Sequence, residues 1–184
     1  MPSRLNVKAN KVLVKQIETR VSQINGKFGT MNLIPINFIY HSVSQEDLFA
    51  LYDRADVCMV TPLIDGMNLV AKEYVACKEG SAGVLILSEF AGAAQELHHA
   101  MIVNPYNPFE MSQSILEALQ MPNEKAKANM EKMRYIVQEK DASKWSSNIL
   151  NDLNKVEIKY LSNENNNHIK DSEILLKTFS QSKK

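Results

Sequence analysis

Two carboxylates eight residues apart frame the stretch with the most chemical promise. The segment Thr61-Pro62-Leu63-Ile64-Asp65-Gly66-Met67-Asn68-Leu69-Val70-Ala71-Lys72-Glu73 opens on a turn signal, Asp65-Gly66, and passes at once into a helical pattern. Backbone N–H groups at such a helix start carry the positive end of the helix dipole, which suits a phosphate or a diphosphate. Gly66 leaves room for a ligand to approach the backbone. Asp65 is placed to accept hydrogen bonds from sugar hydroxyls. Glu73, about two turns along the helix, is placed to hold a ribose diol. A second reading fits the same residues equally well: Asp65 as the N-terminal cap of the helix and Glu73 as a solvated helix residue.

The elements around this loop read as alternating helices and strands. Leu5 to Asn25 carries apolar residues at Leu5, Val12, Val14, Ile17, Val21 and Ile24, close to helical spacing, and Asn25-Gly26 is expected to stop it. Ile34 to Tyr40 is a short β-branched and aromatic run, expected to be a strand. Ser44 caps the next helix, with Asp47 three residues on and Leu48, Leu51 and Tyr52 as its inner face. Val57–Val60, Gly83–Leu87 and Met101–Val103 read as buried strands. Asn68–Lys78, Pro108–Leu119, Glu124–Lys140 and Ala142–Leu153 read as helices. Short apolar strands separated by helices mean parallel βαβ units, so the expected fold is α/β, an open doubly wound parallel sheet. Ligands of such sheets bind at the carboxyl ends of the strands, so the loops after Tyr40, Val60, Leu87 and Val103 are the ones to search.

Composition narrows the function classes. The chain has 184 residues, with 21 basic against 21 acidic, and a balance without basic excess argues against a nucleic-acid partner. No apolar run reaches the ~18–20 residues that span a bilayer, and the start lacks the order of a signal peptide. Cys58 and Cys77 form no CxxC pair and no disulfide framework, so a reducing, cytoplasmic setting is expected. Residues 1–154 read as one domain. Residues 155–184 read as a polar tail, disordered or weakly helical. The run Asn163-Glu164-Asn165-Asn166-Asn167 lacks apolar residues, and Ile174-Leu175-Leu176 with Phe179 make at most one amphipathic turn.

The stretch from Val60 through Asp65-Gly66-Met67-Asn68-Leu69-Val70-Ala71-Lys72-Glu73-Tyr74 resembles the signature of the trehalose-6-phosphate synthases. The likeness continues in Gly83-Val84-Leu85-Ile86-Leu87-Ser88-Glu89-Phe90-Ala91-Gly92-Ala93-Ala94, in Ile24-Asn25-Gly26-Lys27-Phe28-Gly29-Thr30 and in Val103-Asn104-Pro105-Tyr106. Pro2-Ser3-Arg4 resembles the family's Pro-x-Arg element. The resemblance spans about residues 2–154. It implies a retaining glycosyltransferase of the GT-B type, with two Rossmann-like domains facing a cleft. This chain would be the C-terminal, donor-binding one. The implied reaction moves glucose from UDP-glucose to glucose 6-phosphate, without a metal or other cofactor. Position by position, Asp65 would contact the transferred glucose together with backbone groups of Gly66, Met67 and Asn68. The Leu69 and Val70 amides would meet the diphosphate, and Glu73 would hold the ribose. Arg4 would bind the acceptor phosphate, and the loop of His41, Ser42 and Val43 would lie against the uracil.

Departures from the family pattern matter as well. Ile64 stands where the family usually has Arg, and His41 where it has the Arg of a His-Arg-Ser-Val run; both changes remove a cation from a phosphate-rich cleft. The resemblance further implies that the family's N-terminal domain is missing here, along with two sheet strands, one of them central, and the segment bearing its diphosphate-binding Arg and Lys. The sheet is then expected to be incomplete, with apolar strand edges unpaired. Two functions remain open: a donor-binding half of a synthase, completed by further polypeptide, or a non-catalytic synthase-like subunit that pairs with a full enzyme. Among the other conspicuous residues, Cys58 and Cys77 read as packing, His98-His99 lack a third metal ligand, Trp145 reads as a packing anchor, and Ser88 lacks a G-x-S-x-G setting.

Overall fold

The computed structural model describes residues 8–140 and 142–161. The chain forms two compact units, divided between Asp56 and Val57.

The first unit holds helices α1 (Lys8–Phe28) and α2 (Gln45–Arg54). α1 does not stop at Asn25-Gly26 as expected. It runs through Gly26, where an added Cβ would meet nothing, and ends where the Gly29 N–H donates to the Asn25 carbonyl at 2.8 Å. Gly29 is the residue this turn requires, because a Cβ there would overlap that same carbonyl oxygen. The expected strand Ile34–Tyr40 is not formed. A strand exists only beside a neighbour that takes its N–H and C=O groups, and at Ile36 a side chain has that role. The Asn25 carboxamide accepts from the Ile36 N–H at 2.9 Å and donates to the Ile36 carbonyl at 2.8 Å. Phe38 and Tyr40, two residues apart, stack at 6.0 Å, so the backbone there places alternate side chains on one face. α2 begins as predicted. The Ser44 hydroxyl accepts from the Asp47 N–H at 3.1 Å and donates to the Asp47 carboxylate at 2.6 Å. Its inner face is narrower than expected, since Tyr52 is buried but Leu51 is half exposed.

The second unit is an open parallel sheet of β1 (Val57–Val60), β2 (Val84–Ser88) and β3 (Met101–Val103), in that order. Val57 to Val60 lie beside Val84 to Leu87, and Ile86 to Ser88 beside Met101 to Val103. The central β2 is buried along all five residues, as its unbroken apolar run demands. Helices α3 (Leu69–Cys77), α4 (Pro108–Gln120), α5 (Asn123–Glu139) and α6 (Ala142–Leu161) complete it. Val84 and Ile86 pack with Val103, Ala118 of α4 and Ala126 of α5. α3 packs on α5, and Tyr74 and Val75 of the first and Met130 and Met133 of the second are buried. Each large side chain so enclosed contributes ~1.5–3 kcal/mol of transfer free energy. α4 starts at a built cap, the Asn107 side chain accepting from the Glu110 N–H with Pro108 in the first turn. α6 passes the expected end at Leu153 and runs to Leu161. Residues 162–184, which include most of the expected tail, lie outside the described residues.

Candidate functional site

All three strands run the same way, so their carboxyl ends and the loops that follow lie on one side. The loop after β1 is pinned to the loop after β2 by two backbone hydrogen bonds. The Asp65 N–H donates to the Phe90 carbonyl and the Gly92 N–H to the Asp65 carbonyl, each at 3.2 Å. This bridge brings Gly92 so close that a Cβ on it would overlap the Gly66 carbonyl. The loop after β2 is joined in turn to that after β3. The Glu89 N–H donates to the Val103 carbonyl at 3.0 Å, and Phe90 meets Tyr106 edge to face at 5.8 Å.

Within the first loop the side chains form a relay. Asn68 donates from Nδ2 to Asp65 Oδ2 at 2.7 Å, and its Oδ1 accepts from the Ala71 N–H at 2.9 Å. Asn68, not Asp65, therefore caps α3, and it does so from left-handed backbone with φ of 59°. Asparagine is among the few residues with a side chain that visit this region readily. The cap reading of Asp65 is thus corrected: its carboxylate sits one step behind the cap and orients it. The cap takes the Ala71 N–H, while those of Leu69 and Val70, in the first turn, have no intrahelical acceptor. Both residues are well exposed. Glu73 lies half-buried one turn beyond Leu69.

Gly66, Met67 and Leu69 line a cleft of about 960 Å³, together with Lys72, Glu96 and residues from the end of α5 and the start of α6. Lys72 pairs with Glu96 at 2.9 Å, both side chains largely shielded, which ties α3 to the β2–β3 connection. Gly66 itself is open, since an added Cβ would meet no protein atom within 4 Å. Ile64 is almost fully exposed.

The structure thus gathers Asp65, Gly66, Met67, Asn68, Leu69, Val70 and Glu73 on one loop and helix start. Val43 is half-buried and His41 exposed in the first unit, with His41 Nδ1 at 3.0 Å from the Ser42 carbonyl oxygen. Arg4 lies outside the described residues, as does the side chain of Trp145 within α6. Ser88 is fully buried, and its hydroxyl accepts from the Phe90 N–H at 3.1 Å, a structural duty. Burial pushes the Cys58 thiol up to about 11, so it stays protonated and inert. The Lys72–Glu96 pair is a part of the site that no motif in the sequence announces. No local spacing links 72 to 96 or 92 to 66.

The model of glycosyltransferase family 20 matches residues 1–155. The chain belongs to this family. It is 43% identical over 156 residues to the UDP-forming alpha,alpha-trehalose-phosphate synthase of Pichia angusta, matching 85% of this chain and 33% of that protein. The synthase structure from Burkholderia xenovorans in complex with glucose-6-phosphate superposes with a TM-score of 0.79 at 41% identity, over 83% of this chain and 34% of the other. The E. coli trehalose-6-phosphate protein bound with UDP-2-fluoro glucose gives 0.79 at 38%, over 82% and 34%. The fold is therefore that of a GT-B glycosyltransferase of the trehalose-phosphate synthase kind, with an open sheet. The chain spans about a third of the length of the relatives it matches. Among the described residues, no helix is long and apolar enough to cross a membrane.

Proposed function

We propose that this chain is the donor-binding half of a UDP-forming trehalose-phosphate synthase, transferring glucose from UDP-glucose to glucose 6-phosphate once further polypeptide supplies the acceptor side. The observation that carries this reading is the loop 65–70: a carboxylate, an open glycine and a capped helix start, pinned together at the carboxyl ends of parallel strands. Asp65 contacts the sugar hydroxyls. Gly66, Met67 and Asn68 present backbone groups to the same sugar, the Leu69 and Val70 amides meet the diphosphate, and Glu73 holds the ribose. Val43 lies by the uracil, and Arg4 takes the acceptor's phosphate.

Charge dictates the mechanism. As the bond from the sugar's anomeric carbon to the diphosphate oxygen breaks, negative charge grows on the diphosphate and positive charge on the ring. Oriented amides answer the first in a site closed to water. The Asp65 carboxylate steadies the second. The acceptor hydroxyl adds on the face the diphosphate leaves, and its proton passes to the departing oxygen. Amides and protein cations serve the diphosphate, so no metal or other cofactor is called for. The proposed setting is cytoplasmic, with no membrane or nucleic-acid partner.

Ile64 favours a second reading. An almost fully exposed, uncharged side chain stands beside Asp65 where the family pattern has Arg, which suits a non-catalytic subunit paired with a full synthase. Calorimetric titration with UDP and UDP-glucose separates the two. Micromolar-to-millimolar binding, lost in an Asp65→Ala, Glu73→Ala double variant, supports the donor half-site. A folded chain that binds neither ligand sinks it.

A further inference from the structure

Two ties join the start of α3 to one segment of the β2–β3 connection. The first is the backbone bridge of Asp65 with Phe90 and Gly92. The second is the ion pair of Lys72 Nζ with Glu96 Oε2 at 2.9 Å. Between the two ties, on one side, lie Leu69 and Val70, whose N–H groups the Asn68 cap leaves untaken. On the other side runs the short 3-10 helix Gly92–Gln95, which packs against α3. The bridge holds the loop ahead of Asn68. The left-handed backbone of Asn68 then turns the chain, so the bridge sets only the approach to the helix. The ion pair holds the first turn beyond that bend.

Helix α3 itself gives no reason for Lys72. It is the fourth residue of the helix, near the end where the dipole disfavours a cation. Its partner lies 24 residues on, so the pair adds nothing along the helix face. Both side chains line the cleft and are largely shielded, at 16% and 30% exposure. Shielding strengthens their attraction. A cation so paired brings no spare charge to the cleft, and its effect is geometric.

We propose that Lys72 and Glu96 are positioning residues of this site: their pair locks the first turn of α3 so that the Leu69 and Val70 amides face the diphosphate of the bound nucleotide sugar. The proposal rests on the donor-site reading above and adds to it what keeps those amides in place.

The test is calorimetric titration of the full chain with UDP, at a temperature where melting curves show every variant folded. The variants are Lys72→Gln, Glu96→Gln, Lys72→Arg and Arg134→Gln. The last breaks a 2.8 Å pair with Glu79, on residues that do not line the cleft, and so serves as a matched loss of structure. Lys72→Gln and Glu96→Gln are each expected to weaken UDP roughly fivefold, the scale of one partly shielded ion pair. Lys72→Arg, which can remake the pair, retains affinity. Arg134→Gln binds UDP as the parent does, whatever its melting temperature. Glu96→Gln separates a tie from a free cation, because it releases Lys72 beside the diphosphate. Unchanged or tighter UDP binding by Glu96→Gln overturns the proposal and leaves the donor site standing. An equal loss in Arg134→Gln overturns it too, since any broken tie would then have the same effect. A folded parent that does not bind UDP removes the donor site and the proposal with it. Should Lys72→Gln fail to fold, Glu96→Gln, an isosteric change at the more exposed partner, decides by the same readings.

Discussion

Replacing Gly92 by alanine adds one methyl group where the loops after β1 and β2 lie closest. The new carbon would overlap the Gly66 carbonyl oxygen, a backbone atom that moves only with its loop. Relief requires the two loops to part, and the hydrogen bonds Asp65 to Phe90 and Gly92 to Asp65 go with them. Two backbone hydrogen bonds account for ~1 kcal/mol each, and forced overpacking adds ~1 kcal/mol or more. A loss of ~3 kcal/mol lowers the melting temperature of a 184-residue chain by roughly 6–12 °C. The same parting shifts Asp65 and the Asn68 cap away from the cleft, so UDP-glucose affinity falls with stability. Gly66→Ala is the control, because its Cβ meets no protein atom. It should melt with the parent yet bind UDP-glucose more weakly, since the methyl fills space given to the sugar. Differential scanning fluorimetry with calorimetric titration reads both. Gly92→Ala that melts and binds like the parent would refute the loop bridge as the device that shapes this site.

Asn68→Ala removes the cap of α3 and leaves a β-carbon in left-handed backbone. A loss of ~2 kcal/mol in urea unfolding is expected, about half of it recovered by Asn68→Gly. Equal stability of the two variants would count against the backbone half of that sum. The Cys58 thiol, raised by burial from an ordinary 9.0 to about 11, makes stability depend on alkali. The folded state holds its proton where the unfolded chain has lost it. This contribution is complete below about pH 9 and declines as pH rises to about 11. Cys58→Ala should flatten that window, and an unchanged profile would argue that another group governs it. β1 reads Val-Cys-Met-Val and pairs only with β2 among the described residues, an apolar edge without a gatekeeping charge. The chain by itself should therefore associate or unfold broadly on heating. A monomer with a sharp, reversible transition above ~60 °C would contradict this.

Elements whose signals are local were legible in the sequence to within a residue or two. β3 matches its expected bounds, β1 likewise, and α2 begins at the Ser44 cap. α4 follows Asn107-Pro108 as such a start should. Expectations that rest on composition or spacing alone do not all hold. Ile34–Tyr40 has the composition of a strand, yet a side chain from α1 occupies the polar groups of Ile36. Asn25-Gly26 has the composition of a stop, but the helix continues until Gly29, the position where only glycine clears the preceding turn. Leu51 fits the apolar face of α2 by spacing and remains half exposed.

The candidate site divides in the same way. Asp65, Gly66 and Glu73 were readable because their meaning is carried by order along one turn and one helix, where covalent connectivity sets the geometry. Which residue caps α3 was not readable, since Asp65 and Asn68 both suit a cap and only the backbone angle at Asn68 chooses between them. The close approach of Gly92 to Gly66 and the pairing of Lys72 with Glu96 join segments more than twenty residues apart. Their proximity is a product of parallel strand register and of α3 packing on α5. No one-dimensional pattern encodes such distances, because they exist only once the sheet has brought the loops to one side.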